Sequence, residues 1–107
     1  MSFDEFEALL NTFTERVYQH EAVETNVAPY IVWHEYRNNP RYADNKPKPG
    51  FWRVQADYYT KGRKDTVPDE MEAAFAEREI PFVHLVSYES SLRLIRHVFD
   101  CEVLSDG

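Results

Sequence analysis

Apolar and polar residues alternate most clearly over residues 51–60, which read FWRVQADYYT. One side of this stretch carries Trp52, Val54, Ala56 and Tyr58, and the other side is mainly polar. Aromatic and β-branched residues favour strands, and such alternation is typical of a strand with one buried face. We therefore predict that residues 51–60 form a strand at the centre of a sheet that is covered on one side.

Two other stretches have helical periodicity. Apolar residues recur at steps of three and four over residues 3–20, which predicts a helix with one core-facing side. Ser2 and Glu5 have the spacing of a capping box at its start. The same periodicity predicts a second helix over residues 67–79, which Pro81 ends.

Residues 29–36, 82–88 and 92–104 are predicted as three further strands. Residues 37–50 are predicted to be irregular, because prolines and asparagines interrupt them: Pro40, Pro47, Pro49, Asn38, Asn39 and Asn45. Two strands joined by such a loop predict an extended β-hairpin arm. A loop of this length is usually functional or disordered, and we favour a functional role.

The predicted order of elements is helix, strand, strand, helix, strand, strand. Short hairpin connections favour a mainly antiparallel sheet of four strands, with both helices on its apolar face. The predicted fold is therefore a two-layer α+β fold, and we expect the 107 residues to form one domain, residues 1–107.

The charges are distributed unevenly along the chain. The formal net charge of −7 argues against a general nucleic-acid binder. Residues 1–36 carry a net charge of −6, residues 37–64 a net charge of +6, and residues 65–107 a net charge of −7. Such asymmetry can steer the association of one chain with further copies or with a partner.

The histidines and the single cysteine do not indicate a catalytic or metal site. Neither predicted helix carries the His-x-x-x-His or Glu-x-x-His spacing of common zinc sites. For His97, a hydrogen-bonded core or interface position is favoured over a ligand role. His97 and Cys101 would lie about 13 Å apart along a strand, too far to pair as base and nucleophile. Cys101 is therefore predicted to be a buried free thiol.

Several other classes of protein are not indicated either. The three glycines are too scattered for a phosphate-binding loop, and no apolar run approaches the roughly 20 residues that cross a bilayer. The acidic residues 3–7 are unlike a signal peptide. We expect a soluble, intracellular protein that is not an enzyme and needs no cofactor or metal.

Short motifs follow one another along most of the chain after residue 28. They are Pro29-Tyr30-Ile31-Val32-Trp33, Ala43-Asp44-Asn45-Lys46, Tyr58-Tyr59-Thr60-Lys61, Ile80-Pro81-Phe82 and Tyr88-Glu89-Ser90-Ser91. Asp65 and the acidic amphipathic helix lie between the third and fourth motifs. In this order and spacing, the chain resembles the small tail-terminator, or tail-completion, proteins of long-tailed bacteriophages.

The resemblance implies a virion structural protein that is assembled in the host cytoplasm. It would form a ring, expected to be hexameric, that terminates the tail tube and joins it to the head connector. Its partners would be further copies, the tail-tube protein and the head connector or stopper protein, with DNA passing transiently through the channel and no membrane. The alternatives are another neck component, such as a head-completion or stopper protein, and a small hydrolase that uses His84 or His97.

A ring needs contacts between two different surfaces of neighbouring copies, and the basic middle of the chain is the predicted contact region. Eight residues form this prediction: Arg37, Arg41, Tyr42, Lys46, Lys48, Lys61, Arg63 and Lys64. A basic arm that faces an acidic helix or the C-terminal strand would provide charge complementarity. If the arm instead lines a channel, the same bases would contact DNA phosphates.

Overall fold

The structure is a computed structural model that describes residues 1–22, 27–43 and 46–104, with the side chains of residues 37–43, 46–50 and 104 left out of the description. Two helices and five strands follow one another: α1 (Phe3–Leu10), β1 (Val17–Gln19), β2 (Tyr30–Ala43), β3 (Lys46–Thr60), α2 (Val67–Glu77), β4 (Phe82–Glu89) and β5 (Leu94–Leu104). The predicted α+β class is confirmed.

The sheet has five strands in the order β1-β2-β3-β5-β4. β1 pairs with β2 in parallel, and the other three pairs are antiparallel. The predicted four-stranded sheet is wrong by one strand, because residues 17–19 extend beside β2 instead of continuing a helix.

The central strand is β3, as predicted. Val54, Ala56 and Tyr58 are fully or almost fully buried on one of its faces. Both helices pack on that face: α1 contributes Phe6, Leu9 and Leu10, and α2 contributes Met71 and Phe75 to the same apolar cluster. Burial of this face is the main apolar contribution to folding.

The first helix is much shorter than its periodicity predicts. The capping box is present, since Ser2 Oγ accepts from the Glu5 amide and Glu5 Oε1 accepts from the Ser2 amide. The helix ends at Leu10, and the Thr12 hydroxyl then donates to the Leu9 carbonyl at 2.6 Å. Such side-chain bonds compete with helical hydrogen bonds. Val17 still packs against the core, although it does so from a strand.

The region predicted as an irregular loop is mostly regular strand. β2 continues to Ala43 and β3 begins at Lys46, with Ala43 opposite Lys46. Register shifts interrupt the pairing between Glu35 and Arg37 and between Asn39 and Arg41. Residues 46–48 pair with β2 alone, because β5 pairs only with residues 51–60. In a two-stranded ribbon each strand has a free side, which tolerates the missing proline donors.

We call residues 37–43 and 46–50 the hairpin arm. The predicted extended β-hairpin is therefore present, although it is built of strands and not of a loop. Asp44 and Asn45 of the Ala43–Lys46 motif lie outside the described residues. The longest dimension of the chain is 50 Å, against 26 and 22 Å in the other two directions.

The predicted second helix is confirmed, and both of its ends are held by neighbouring residues. At the start, Asp65 Oδ1 accepts from the Val67 amide at 2.9 Å, whereas the Thr66 side chain makes no capping bond. At the end, the Ile80 amide donates to the Phe75 carbonyl, and Glu79 adopts a left-handed conformation with φ 57°. This is a Schellman arrangement, which directs the chain into β4.

Candidate assembly interface

β4 forms one edge of the sheet. Its eight residues pair with β5 on one side, and no described strand pairs with its other side. An edge strand exposes a row of backbone donors and acceptors that another chain can pair with.

The exposed large apolar side chains are concentrated on this strand. Val83, Leu85, Val86 and Tyr88 are between 54% and 62% exposed. Because successive residues of a strand point to opposite faces, Val83 and Leu85 lie on one face and Val86 and Tyr88 on the other. The strand is therefore apolar on both sides of its open edge.

The sequence of β4 has little of what usually protects an edge, since its one carboxylate, Glu89, is the last residue and is paired with Arg96. It reads FVHLVSYE, with neither lysine nor proline. Natural edge strands are commonly blunted by such residues or by bulges, and contiguous exposed apolar patches mark interaction sites. The composition of β4 is thus typical of a contact surface.

A groove lies beside the second half of β4. It has a volume of about 420 Å³, and Val86, Tyr88 and Ile95 form its apolar lining while Arg63 and His97 supply polar groups. Apolar walls with a few polar groups are the usual composition of a binding site.

The helix α2 packs beside this edge and is acidic. Its sequence contains Asp69, Glu70, Glu72 and Glu77 and no basic residue. Asp69, Glu70 and Glu77 are exposed. The apolar edge of β4 is thus accompanied by a negatively charged helix.

The eight predicted contact residues are spread along the length of β3: Arg41, Tyr42, Lys46 and Lys48 lie at its start, Arg37 lies opposite Arg53 at its middle, and three follow its end. Five belong to the backbone of the hairpin arm, and their side chains lie outside the described residues: Arg37, Arg41, Tyr42, Lys46 and Lys48. The other three, Lys61, Arg63 and Lys64, are exposed in the turn after β3. At about 3.3 Å per residue, Lys46 and Lys61 lie roughly 45–50 Å apart. The eight residues therefore do not form one surface of a single copy.

The sheet face opposite the helices carries internal ion pairs. Arg53 donates to Glu102 Oε1 at 2.6 Å and to Asp100 Oδ2 at 3.2 Å. Arg96 donates to Asp57 Oδ2 at 2.6 Å. Burial alone would lower the pKa of Arg96, but the bond to the Asp57 carboxylate and its charge outweigh burial and raise it. Since these charges are paired within the chain, this face is a weaker candidate for a charged partner.

A second cluster joins α2 to the sheet. Glu72 Oε2 lies 2.8 Å from His84 Nδ1, and His84 Nε2 lies 2.9 Å from His97 Nδ1. The predicted hydrogen-bonded position of His97 is confirmed. The sequence did not lead us to predict its partner, His84. In the sheet, His84 pairs with Phe99 and is thus a diagonal neighbour of His97 on the same face. The register of a β4–β5 hairpin, if taken from the sequence, would have indicated this contact.

The cysteine is as predicted. Cys101 is a free thiol with no exposed surface, and burial raises its pKa to about 12.

Within the described part of the chain, no hydroxyl or thiol is hydrogen-bonded to His84 or His97. Neither histidine is therefore paired with a nucleophilic side chain among the described residues.

Comparisons with protein-family models, with curated proteins and with solved structures found no match to this chain. Among the described residues, no helix is long and apolar enough to cross a membrane.

Proposed function

We propose that this chain is a virion assembly protein of the tail-terminator kind, and that its copies associate into a closed ring. The observation that carries the proposal is the open edge of β4, which is apolar on both faces and has no protecting lysine or proline. A surface of this kind is costly to leave in water, and association would bury it.

A ring requires that one surface of a copy contacts a different surface of the next copy. The first surface would be β4 with the acidic helix α2 beside it. The second would be the hairpin arm of the neighbouring copy, whose sequence carries Arg37, Arg41, Lys46 and Lys48. The two surfaces have opposite charge, which favours this pairing and disfavours contact between like surfaces.

The geometry of the arm supports this arrangement. Its tip, residues 40–43 and 46–50, continues β2 and β3 beyond the last residue that pairs with β5, and the chain is about twice as long as it is wide. An arm that extends from the body can reach a neighbour without disturbing the core of its own copy.

The place of the ring in the virion follows from the motif resemblance. The ring would end the tail tube and join it to the head connector, with DNA passing through its channel. The alternative position, a head-completion or stopper ring of the neck, would use the same two surfaces. Labelling of the protein in an intact virion distinguishes the two positions.

The mass of the full chain in solution tests the assembly. We expect a multi-copy species by light scattering or native mass spectrometry, formed by the chain alone or with tail-tube subunits. A dimer would indicate that two β4 edges pair with each other, since such a contact closes on itself. A monomer at all concentrations, also with tail-tube subunits, would contradict the proposal.

A charge exchange tests which surfaces meet. In one variant the four basic arm residues are replaced by glutamate (R37E, R41E, K46E and K48E). In another, Asp69→Lys, Glu70→Lys and Glu77→Lys replace the three exposed acids of α2 and reverse the sign of its charge. Each variant alone should remain folded and fail to assemble, while an equal mixture should regain assembly. Normal rings from the arm variant alone would rule out the arm as a contact surface.

A further inference from the structure

Glu72, His84 and His97 form a continuous hydrogen-bonded chain from α2 to β5. Glu72 Oε2 lies 2.8 Å from His84 Nδ1, and His84 Nε2 lies 2.9 Å from His97 Nδ1. The His84 ring is stacked on Phe99, with centroids 4.2 Å apart and planes 17° apart, and only 15% of the His84 side chain is exposed. The stacking thus holds the His84 ring between the two groups to which it is bonded.

The hydrogen bonds limit how many protons the two rings can hold. An ionised carboxylate only accepts, so the His84 Nδ1 hydrogen is donated to Glu72. The contact between His84 Nε2 and His97 Nδ1 holds one further hydrogen, which one nitrogen donates and the other accepts. The pair can carry one positive charge with both bonds intact, because a charged His84 donates from both of its nitrogens.

A second positive charge breaks the bond between the rings. With both imidazoles protonated, two N–H groups face each other and no acceptor remains between them. The ring centroids are 5.1 Å apart, so the two like charges also repel, and the Glu72 carboxylate compensates only one of them. Since His84 keeps its bond to Glu72, the ring that must leave is His97.

His97 faces a groove into which it can turn. The groove beside β4 is lined by His97 together with Arg63, Val86, Tyr88 and Ile95. Val86 lies directly opposite His97 in the register of β4 and β5. We infer that His97 is an acid-operated switch in this groove: it is bonded to His84 while the pair carries at most one positive charge, and it is released into the groove when both rings are protonated.

The charged and titratable groups around the pair set the pH at which the switch operates. Burial and the charge of His84 lower the pKa of His97, whereas Asp65 and Asp69 oppose this change. The lowering prevails, so His97 takes up its proton below the usual histidine pKa of about 6.5. The groups that face the pair are Tyr58 on β3, Arg63 and Asp65 in the turn after β3, Asp69 and Glu72 on α2, and His84 on β4.

The switch would change the charge of the candidate interface. A released, protonated His97 places a positive charge in the groove beside Arg63. The proposed partner of this side of the molecule is the basic arm of a neighbouring copy, so like charges would weaken the contact in acid. This consequence rests on the proposed function, whereas the switch itself does not, because all of its groups belong to one copy.

A pH titration of the full, unmutated chain tests the switch. Ring ¹⁵N and methyl spectra from about pH 7.5 to about pH 5 should show His97 gaining a proton below the usual histidine pKa. The methyl groups of Val86 and Ile95 should shift with the same midpoint. Val83 and Leu85 lie on the opposite face of β4 and should not shift in that step.

Three results of this titration would overturn the inference. They are a His97 ring that stays neutral throughout, a protonated His97 without shifts of Val86 and Ile95, and shifts of these methyl groups without a change in the His97 ring. The titration is repeated at two protein concentrations. A switch within one copy should give the same midpoint at both, which separates it from association.

Three variants identify the groups involved. In His97→Asn the step at Val86 should be absent, because an amide does not titrate. His84→Gln removes the like charge and should move the His97 midpoint to a higher pH. His34→Gln, on β2, is the matched control and should leave the midpoint unchanged. An unchanged midpoint in His84→Gln would mean that His84 does not hold His97 and would overturn the inference.

The mass of the assembly at about pH 7.5 and about pH 5.5 tests the consequence for the interface. The dissociation constant should be up to about fivefold higher at the lower pH in the wild type, and this change should be absent in His97→Asn. A pH-independent assembly with the methyl step present would contradict the link to the arm contact. A chain that is monomeric at both pH values, also with tail-tube subunits, would contradict the proposed function and not the switch.

Discussion

The two edges of the sheet are built differently. β1, on one edge, has three residues, and Gln19 and His20 at its end both contact the Glu35 carboxylate of β2, at 3.1 and 3.2 Å. β4, on the other edge, has eight residues and four exposed apolar side chains. A short edge strand with polar contacts offers little to an incoming strand, whereas a long apolar one offers backbone and side-chain contacts.

The difference between the β1 and β4 edges indicates which edge another chain would contact. If exposed apolar residues were merely a consequence of the aromatic-rich composition, both edges would carry them. Of the six exposed large apolar side chains among the described residues, four lie on β4, next to an acidic helix, and two of these four, Val83 and Leu85, share the sheet face that carries the ion pairs. The distribution therefore favours a directed contact at one edge.

The largest expected effect comes from placing charge on the open edge. Val83→Lys with Leu85→Lys should raise the dissociation constant of the assembly about 100-fold, since each apolar side chain contributes about 1.5 kcal/mol when buried. Dilution series with mass detection measure this change. The matched change at the other edge, Gln19→Lys, should leave the assembly intact. Equal effects at both edges would contradict the comparison.

The free energy of unfolding should depend more on the β1 edge than on the β4 edge. Val17 packs against the core, so Val17→Asp should lower the free energy of unfolding by about 2 kcal/mol. Val83 is 54% exposed, and Val83→Asp should change stability by no more than about 0.5 kcal/mol. Urea denaturation measures both variants. A large loss for Val83→Asp would mean that β4 is needed for folding and not only for contact.

The connection from α2 into β4 allows stability to be raised without altering the edge. Glu79 has φ 57°, a conformation that costs a non-glycine residue about 1 kcal/mol. Glu79→Gly should therefore stabilise the chain by up to about 1 kcal/mol, while Glu77→Gly within the helix should destabilise it by a similar amount. Thermal unfolding distinguishes the two. Assembly by Glu79→Gly should be unchanged.

The smallest effect concerns pH at the β1 edge. Burial alone would raise the pKa of Glu35, but hydrogen bonds from its own backbone, Gln19 and His20 outweigh burial and lower it. A lowered carboxyl pKa gives stability that is present above the unfolded value and is lost as pH falls through the folded value. Amide exchange in β1, corrected for intrinsic rates, should therefore accelerate below about pH 4.5. In Glu35→Gln this acceleration should be absent.

Local patterns were sufficient for several elements. The alternation of residues 51–60 identified the central strand, and the capping box and the α2 periodicity identified both helix starts. The predicted third and fourth strands correspond to β4 and β5. These predictions succeeded because each pattern matches the period of one element and reports which face is buried.

Local patterns failed where one spacing is compatible with two structures. Phe13 and Val17 continue the helical period of α1, yet they reach the core from a turn and from β1. The prolines of the arm predicted a loop, but a two-stranded ribbon tolerates them where a central strand does not. In both cases a strand partner distant in sequence decided the outcome.

By itself, the sequence determined the α+β class, the central strand, the charge blocks and the buried state of Cys101, because these depend on composition and on short-range periodicity. Only the tertiary structure decided which strand forms an open edge, that the basic residues are spread along the length of β3, and that Glu72, His84 and His97 meet. Edges and clusters depend on the order and register of the strands, and pairing between residues distant in the chain fixes both.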